Sequence, residues 1–101
     1  WDAIVSIFCH LPSKWRALVH NRVVNGLQSG GTFVLEAYRP AQLEFKTGGP
    51  PHADLMMSLN TLREELAGLR FQHAEELERD VVEGRQHTGR GAVVQVLALK
   101  P

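Results

Sequence analysis

Two short runs of apolar and β-branched residues, Ala3–Phe8 and Thr32–Tyr38, flank a stretch whose apolar residues follow helical spacing. Near-continuous apolarity in the first run is typical of a strand covered on both faces. Strands joined through a helix lie parallel, and such connections are almost always right-handed. The sequence therefore predicts an α/β layer architecture with parallel strands.

The helix between these strands is expected to have Ser13 as its N-terminal cap and to end before Gly30–Gly31. Glycine at that point supplies the left-handed C-terminal cap. The apolar residues of the helix recur at spacings of three and four and predict its packed face. They are Trp15, Leu18, Val19, Val23 and Leu27.

After the second strand, Arg39–Ala53 is rich in Pro, Gly and polar residues and predicts a loop of about fifteen residues. Asp54 is expected to cap a second helix, which ends at Gly68. A leucine stripe with four-three spacing along this helix requires a packing partner. It consists of Leu55, Leu59, Leu62, Leu66 and Leu69.

The C-terminal third is less uniform in pattern. Phe71–Glu83 fits either a helical face or a strand face, and its residue propensities favour helix. Gly84–Gly91 is expected to be a loop, and Ala92–Leu99 is the strongest strand signal in the chain.

Composition favours one small globular domain, residues 1–101, because 44% of the residues are hydrophobic and 22% are charged. Eleven basic and eleven acidic side chains balance, so neither nucleic acid nor a membrane surface is an expected partner. The apolar runs fall short of the about 18 residues of a membrane helix. A single cysteine, Cys9, favours a reducing compartment and predicts a cytoplasmic protein.

The order of four segments resembles a known family. They are Asp2–Ser6, Cys9–Pro12, Leu27–Gly31 (Leu-Gln-Ser-Gly-Gly) and Thr32–Tyr38. This succession is similar to the second half of class I, Rossmann-like S-adenosylmethionine-dependent methyltransferases, in which Leu-x-x-Gly-Gly precedes the fifth strand. The resemblance implies about four strands in the order 4-5-7-6, with the last strand antiparallel, and two main helices. It also favours strand over helix for Phe71–Glu83.

In that family, the cofactor S-adenosylmethionine is held by a glycine-rich turn and an acidic residue that would precede Trp1. The resemblance thus implies that the N-terminal, cofactor-binding portion is absent and that this chain is the acceptor-side portion. The chain alone is then expected to bind the cofactor weakly or not at all. Phe8 and Cys9, at the end of the first strand, are the expected cofactor contacts in this chain.

Ligands of open α/β sheets bind beyond the carboxyl ends of the parallel strands. Three connections are expected to converge there: Phe8–Leu11, Tyr38–Pro51 and Glu83–Gly91. His10 is the candidate general base, because an unperturbed imidazole accepts a proton at neutral pH. A histidine that only completes the turn before Pro12 is the alternative.

Other residues near that edge are candidates for binding the substrate. Glu36 and Tyr38 share one strand face, where either an acceptor contact or a buried tyrosine is expected. His87 and Arg85, in the last loop, suit an anionic substrate or a solvated hairpin tip. No metal site is predicted, because the Cys and His residues lack ligand spacing.

The resemblance implies one function, and the apolar sheet edge favours a second. The first is part of a methyltransferase that acts on a small-molecule acceptor, with this chain inactive alone. The second is a non-catalytic α/β interaction module that forms a homodimer through the apolar edge of Ala3–Phe8.

Overall fold

The computed structural model describes residues 1–40, 55–82 and 88–101, and these form one four-stranded sheet with two helices. The elements are β1 (Ala3–Ile7), α1 (Ser13–Gly26), β2 (Thr32–Tyr38), α2 (Leu59–Glu65), β3 (Arg70–Val82) and β4 (Thr88–Leu99). The strand order is β1-β2-β4-β3, with β1 parallel to β2 and β4 antiparallel to both of its neighbours. The predicted α/β class and the 4-5-7-6 order are confirmed.

Both helices pack on one face of the sheet, and alternate side chains of β2 point to that face and pack against them. Phe33, Leu35 and Ala37 are each at most 1% exposed there. Leu62 of α2 and Leu66, which caps the C-terminus of this helix, are fully buried in the same cluster. Leu59, Leu62, Leu66 and Leu69 of the predicted stripe thus lie in this core or against it, whereas Leu55 does not. The helix itself is shorter than predicted.

The face of α1 differs from the prediction. Trp15, Leu18 and Val19 are exposed, whereas Arg16 and His20 are buried. Burial of these polar side chains is offset by a carboxylate on α2, which the local sequence of α1 does not reveal. The apolar spacing of α1 thus does not describe its packed face over the first two turns.

Both predicted helix starts also require correction. Pro12 is the N-cap of α1, and Ser13 is the first helical residue. Ser58, not Asp54, caps α2, because its hydroxyl oxygen accepts a hydrogen bond from the main-chain N–H of Thr61. Asp54 itself lies outside the described residues.

The ambiguous segment from Phe71 is extended and pairs with β4, as the resemblance implied and the propensities did not. A register shift between Phe71 and His73 inserts one extra residue into β3. Consequently Phe71 and Ala74, three positions apart, lie opposite Ala98 and Val96, which face the helices. A bulge in a strand therefore produced spacing that resembles a helix.

The last hairpin is longer than predicted. β4 begins at Thr88, so the expected loop residues 88–91 pair with β3 instead. Within the described ranges, neither helix is long and apolar enough to cross a membrane.

Candidate functional site

The end of β1 turns sharply at Phe8, which has a positive φ of 49°. Non-glycine residues rarely adopt this left-handed conformation, and such strain is concentrated at functional sites. The main-chain N–H of Phe8 donates to the carbonyl oxygen of Glu36 at 2.7 Å, which fixes the turn against β2. The turn lies at the carboxyl end of the two parallel strands, where α/β proteins bind ligands.

Three aromatic side chains gather at this turn, and we call Phe8, His10 and Tyr38 the rim cluster. The ring centroids of Phe8 and Tyr38 are 4.8 Å apart, and those of His10 and Tyr38 are 5.7 Å apart. Both pairs are stacked, with interplanar angles of 28° and 17°. Residues from two connections that sequence analysis placed at the same edge are thus in contact.

His10 has a defined role within the rim cluster. Its Nε2 accepts a hydrogen bond from the main-chain N–H of Tyr38 at 3.0 Å. A neutral imidazole that accepts at Nε2 carries its proton on Nδ1. Proton uptake at Nε2 would therefore break the bond to Tyr38, and the role of His10 as a base stays a prediction.

Tyr38 is 1% exposed, and its ring packs with Met56 and Val93. Its contact with a substrate stays a prediction. The carbonyl oxygen of Tyr38 accepts from the main-chain N–H of Met57 at 2.9 Å. The segment before α2 therefore crosses the carboxyl end of β2 beside the rim cluster.

Glu36 is held in an ion pair that the sequence analysis missed. Arg79 of β3 donates Nε to Oε2 at 2.7 Å and Nη2 to Oε1 at 2.6 Å, while Gln95 of β4 donates to Oε2 at 2.9 Å. Burial alone raises the pKa of Glu36, but the hydrogen bonds from Arg79 and Gln95 outweigh it and hold that pKa below its ordinary value. Substrate binding by Glu36 stays a prediction.

Arg39 directly follows β2 and is a further polar group that the sequence analysis did not identify. Its main-chain N–H donates to the carbonyl oxygen of Ala92 at 3.1 Å, which anchors the residue beside β4. Its side-chain Nε is buried without a hydrogen-bond partner among the described residues. Buried N–H groups are usually paired, so this one is suited to an acceptor atom of a ligand.

The other predicted site residues are placed only in part. Phe8 is half-buried, and the Cys9 thiol is exposed. Arg85 and His87 lie outside the described residues, so their role stays a prediction. Within residues 1–40, 55–82 and 88–101, no group of three or more His, Cys, Asp or Glu side chains is arranged to hold a metal ion.

An open sheet with a parallel βαβ unit, helices on one face and a strained turn at the strand ends defines an open-sheet α/β fold. No protein-family model matches the sequence, and no curated protein is similar to it. Solved structures are similar to the chain in fold. They place it among folds of S-adenosylmethionine-dependent methyltransferases, as the sequence resemblance implied.

Three structures illustrate this similarity. TehB from Haemophilus influenzae superposes with a TM-score of 0.73 at 17% identity, over 99% of this chain and 35% of its own. A SAM-dependent methyltransferase from Methanosarcina mazei gives 0.69 at 13% identity, over 99% and 59%. The N-methyltransferase NodS from Bradyrhizobium japonicum gives 0.63 at 14% identity, over 99% and 51%. The chain spans about a third to three fifths of the length of those proteins.

Proposed function

We propose that the chain is the acceptor-side portion of an S-adenosylmethionine-dependent methyltransferase that acts on a small molecule. Support comes from the shared fold together with the rim cluster, which lies where this class of sheet binds ligands. The observation that carries most weight is the strained turn at Phe8, because it brings Phe8 and His10 against Tyr38.

The rim residues fit one side of the cofactor. S-adenosylmethionine would supply a methyl group already activated on a positively charged sulfonium. Aromatic rings attract such a cation, and the half-buried Phe8 presents one at the strand ends, stacked on the buried ring of Tyr38. Phe8 and the exposed Cys9 are the proposed cofactor contacts. The β1–α1 connection, residues 8–12, contains no glycine to cradle the rest of the cofactor.

The chain's own residues would therefore bind and orient the acceptor rather than activate the methyl group. His10 is the proposed group that handles the acceptor proton, and its Nε2 would exchange the hydrogen bond from the Tyr38 main-chain N–H for that proton. Glu36 holds Arg79 beside the strand ends. The buried Nε–H of Arg39, which has no hydrogen-bond partner among the described residues, suits an oxygen of the methyl acceptor. We assign Arg85 and His87 to the substrate side on sequence grounds alone.

Completion of the cofactor site requires a further portion, which we propose pairs with β1. Among the described strands, β1 has β2 as its one neighbour, and Val5 and Ile7 are 64% and 43% exposed. Exposed apolar edge strands are templates for pairing with another strand. By itself, the chain would then bind S-adenosylmethionine weakly or not at all and would be inactive.

Two measurements test this function. The first reads the coding sequence immediately before Trp1 for a strand followed by a glycine-rich turn, which the proposal expects. The second titrates S-adenosylmethionine by calorimetry into the full chain and into the longer product of that reading frame. Binding by the longer protein is expected, and binding by neither would exclude the methyltransferase.

Activity of the longer protein separates binding from transfer. His10→Ala is expected to slow methyl transfer about a hundredfold if His10 moves the acceptor proton, with nearly unchanged cofactor affinity. His73→Ala is the matched control, because His73 is an exposed histidine of β3. Unaltered turnover in His10→Ala would reduce His10 to a structural residue.

The exposed edge of β1 also favours a second function, a non-catalytic module that forms a homodimer through this strand. Light scattering on a size-exclusion peak distinguishes the two. A stable dimer of the full chain, together with no cofactor binding by any longer product, would support the interaction module. A monomer that remains soluble at high concentration would contradict it.

A further inference from the structure

Arg16 and His20 of α1 are polar but only 6% and 3% exposed. The carboxylate of Glu65 on α2 binds both of them. Arg16 donates Nε to both carboxylate oxygens at 3.0 Å and Nη2 to Oε2 at 2.9 Å, while His20 Nδ1 lies 2.7 Å from Oε1. Because the charges of Arg16 and Glu65 are opposite, the three side chains together carry no net charge as long as His20 is neutral.

Burial, the largest effect, lowers the pKa of His20 and outweighs the opposing effect of Glu65, which favours the neutral imidazole at neutral pH. The imidazole then carries its proton on Nδ1 and donates it to Glu65, which leaves a lone pair on Nε2. Nε2 has no hydrogen-bond partner within the described part of the chain. The His20 side chain is thus largely buried and oriented, and its Nε2 is a hydrogen-bond acceptor that the proposed methyl transfer does not use.

A cavity of about 340 Å³ lies between β1 and α1, and His20 is in its wall. Most of the wall is apolar and includes Ile4, Val19, Val23 and Phe33. Small-molecule sites have this character: apolar walls, a few placed polar groups and volumes from about 300 Å³ upward.

We infer that this cavity binds a small uncharged molecule whose apolar body fills it and whose single O–H or N–H group donates to Nε2 of His20. A phenol has this chemistry. An anionic ligand is disfavoured because the guanidinium of Arg16 is already bound to Glu65 and donates Nη1 to the carbonyl oxygen of Met56 at 3.0 Å. The site lies on the helix-covered side of the sheet, and its wall includes Cys9, one of the proposed cofactor contacts, so binding is measured on the full chain without cofactor.

Two probes of nearly equal shape test the hydrogen bond. Phenol and toluene are titrated into the ¹⁵N-labelled full chain and followed by NMR. Phenol is expected to bind about tenfold more tightly than toluene and to shift the Nε2 resonance of His20, which toluene leaves unchanged. Equal affinities, or binding of neither probe, would overturn the inference.

Variants locate the site. His20→Phe keeps an aromatic ring without the acceptor, so the preference for phenol over toluene is expected to disappear. Val19→Trp fills the cavity from an exposed position and is expected to weaken both probes at least about tenfold. Leu18→Trp is the matched control, because Leu18 is equally exposed on α1 and is not in the cavity wall. If His20→Phe does not fold, unchanged phenol binding by Val19→Trp still refutes the site.

Discussion

The main-chain N–H of Tyr38 donates to Nε2 of His10, and this bond joins residues from the ends of two neighbouring parallel strands. It follows from the strained turn at Phe8, which brings the chain after β1 back over β2. The rim cluster is therefore a product of the backbone path as much as of its side chains.

Replacing His10 by Ala is expected to lower the free energy of unfolding by about 1–3 kcal/mol, because the N–H of buried Tyr38 loses its acceptor. Urea unfolding measures the change. His10→Gln carries an amide oxygen that can accept the same bond, so it is expected to recover most of the loss. Equal losses in both variants would contradict this role of the bond.

The Arg16–Glu65 pair is expected to be the most sensitive polar contact in the core. Glu65→Ala leaves the guanidinium of Arg16 buried without its carboxylate and should cost about 3–5 kcal/mol in chemical denaturation. Glu64→Ala, at the exposed neighbouring position, is the control and is expected to change little. The double variant Arg16→Met, Glu65→Leu should lose less than Glu65→Ala, and a greater loss would refute the account.

His20 predicts a change of stability near neutral pH. Its pKa in the folded chain lies below the 6.5 of an unperturbed histidine, so the unfolded chain binds the extra proton first. The contribution of neutral His20 to the free energy of unfolding is therefore fully present above pH 6.5 and is lost as the pH falls below that value. His20→Gln should remove this dependence, whereas a variant of the exposed His73 should retain it.

The lowered pKa of Glu36 predicts a second loss of stability, at a more acidic pH. Its pKa in the folded chain lies below the ordinary 4.5, so its contribution is full above pH 4.5 and is lost as the pH falls through the lower value. Glu36→Gln should lack this component in unfolding curves recorded against pH. Glu76→Gln changes an exposed carboxylate of β3 and should behave as the unaltered chain.

The edge of β1 gives a prediction about association. Val5→Lys places a charge on the exposed outer face of an edge strand, a substitution that blocks edge-to-edge pairing. If the full chain self-associates through β1, light scattering should show a smaller species for this variant. Ala17→Lys is the control, because Ala17 is exposed on α1, and it should leave the association unchanged.

Local sequence patterns correctly predicted the two strands that are apolar along most of their length. Thr32–Tyr38 has the predicted bounds, and the apolar run from Ala3 forms a strand with one residue fewer. Phe71–Glu83 shows where periodicity fails, because a bulge shifts the side-chain alternation by one position. There the resemblance to a family gave the correct strand although propensity did not.

The meeting of His10 and Tyr38 at one sheet edge was predicted, whereas the side-chain partners of Glu36 were not. His10 and Tyr38 meet because the carboxyl ends of parallel strands share an edge, a property of the topology alone. The pairing of Glu36 with Arg79 depends on strand register across 43 residues of chain, which no local pattern encodes.

The order of apolar runs, glycines and helical stretches determined which class of sheet this chain forms, because burying apolar strands under connecting helices leaves few arrangements. Tertiary structure decided which side of α1 is buried. Arg16 and His20 displace Trp15 and Val19 from the core because Glu65, more than forty residues away in sequence, supplies the hydrogen bonds that offset their burial. Such compensation arises between elements, so it exists only once the chain has folded.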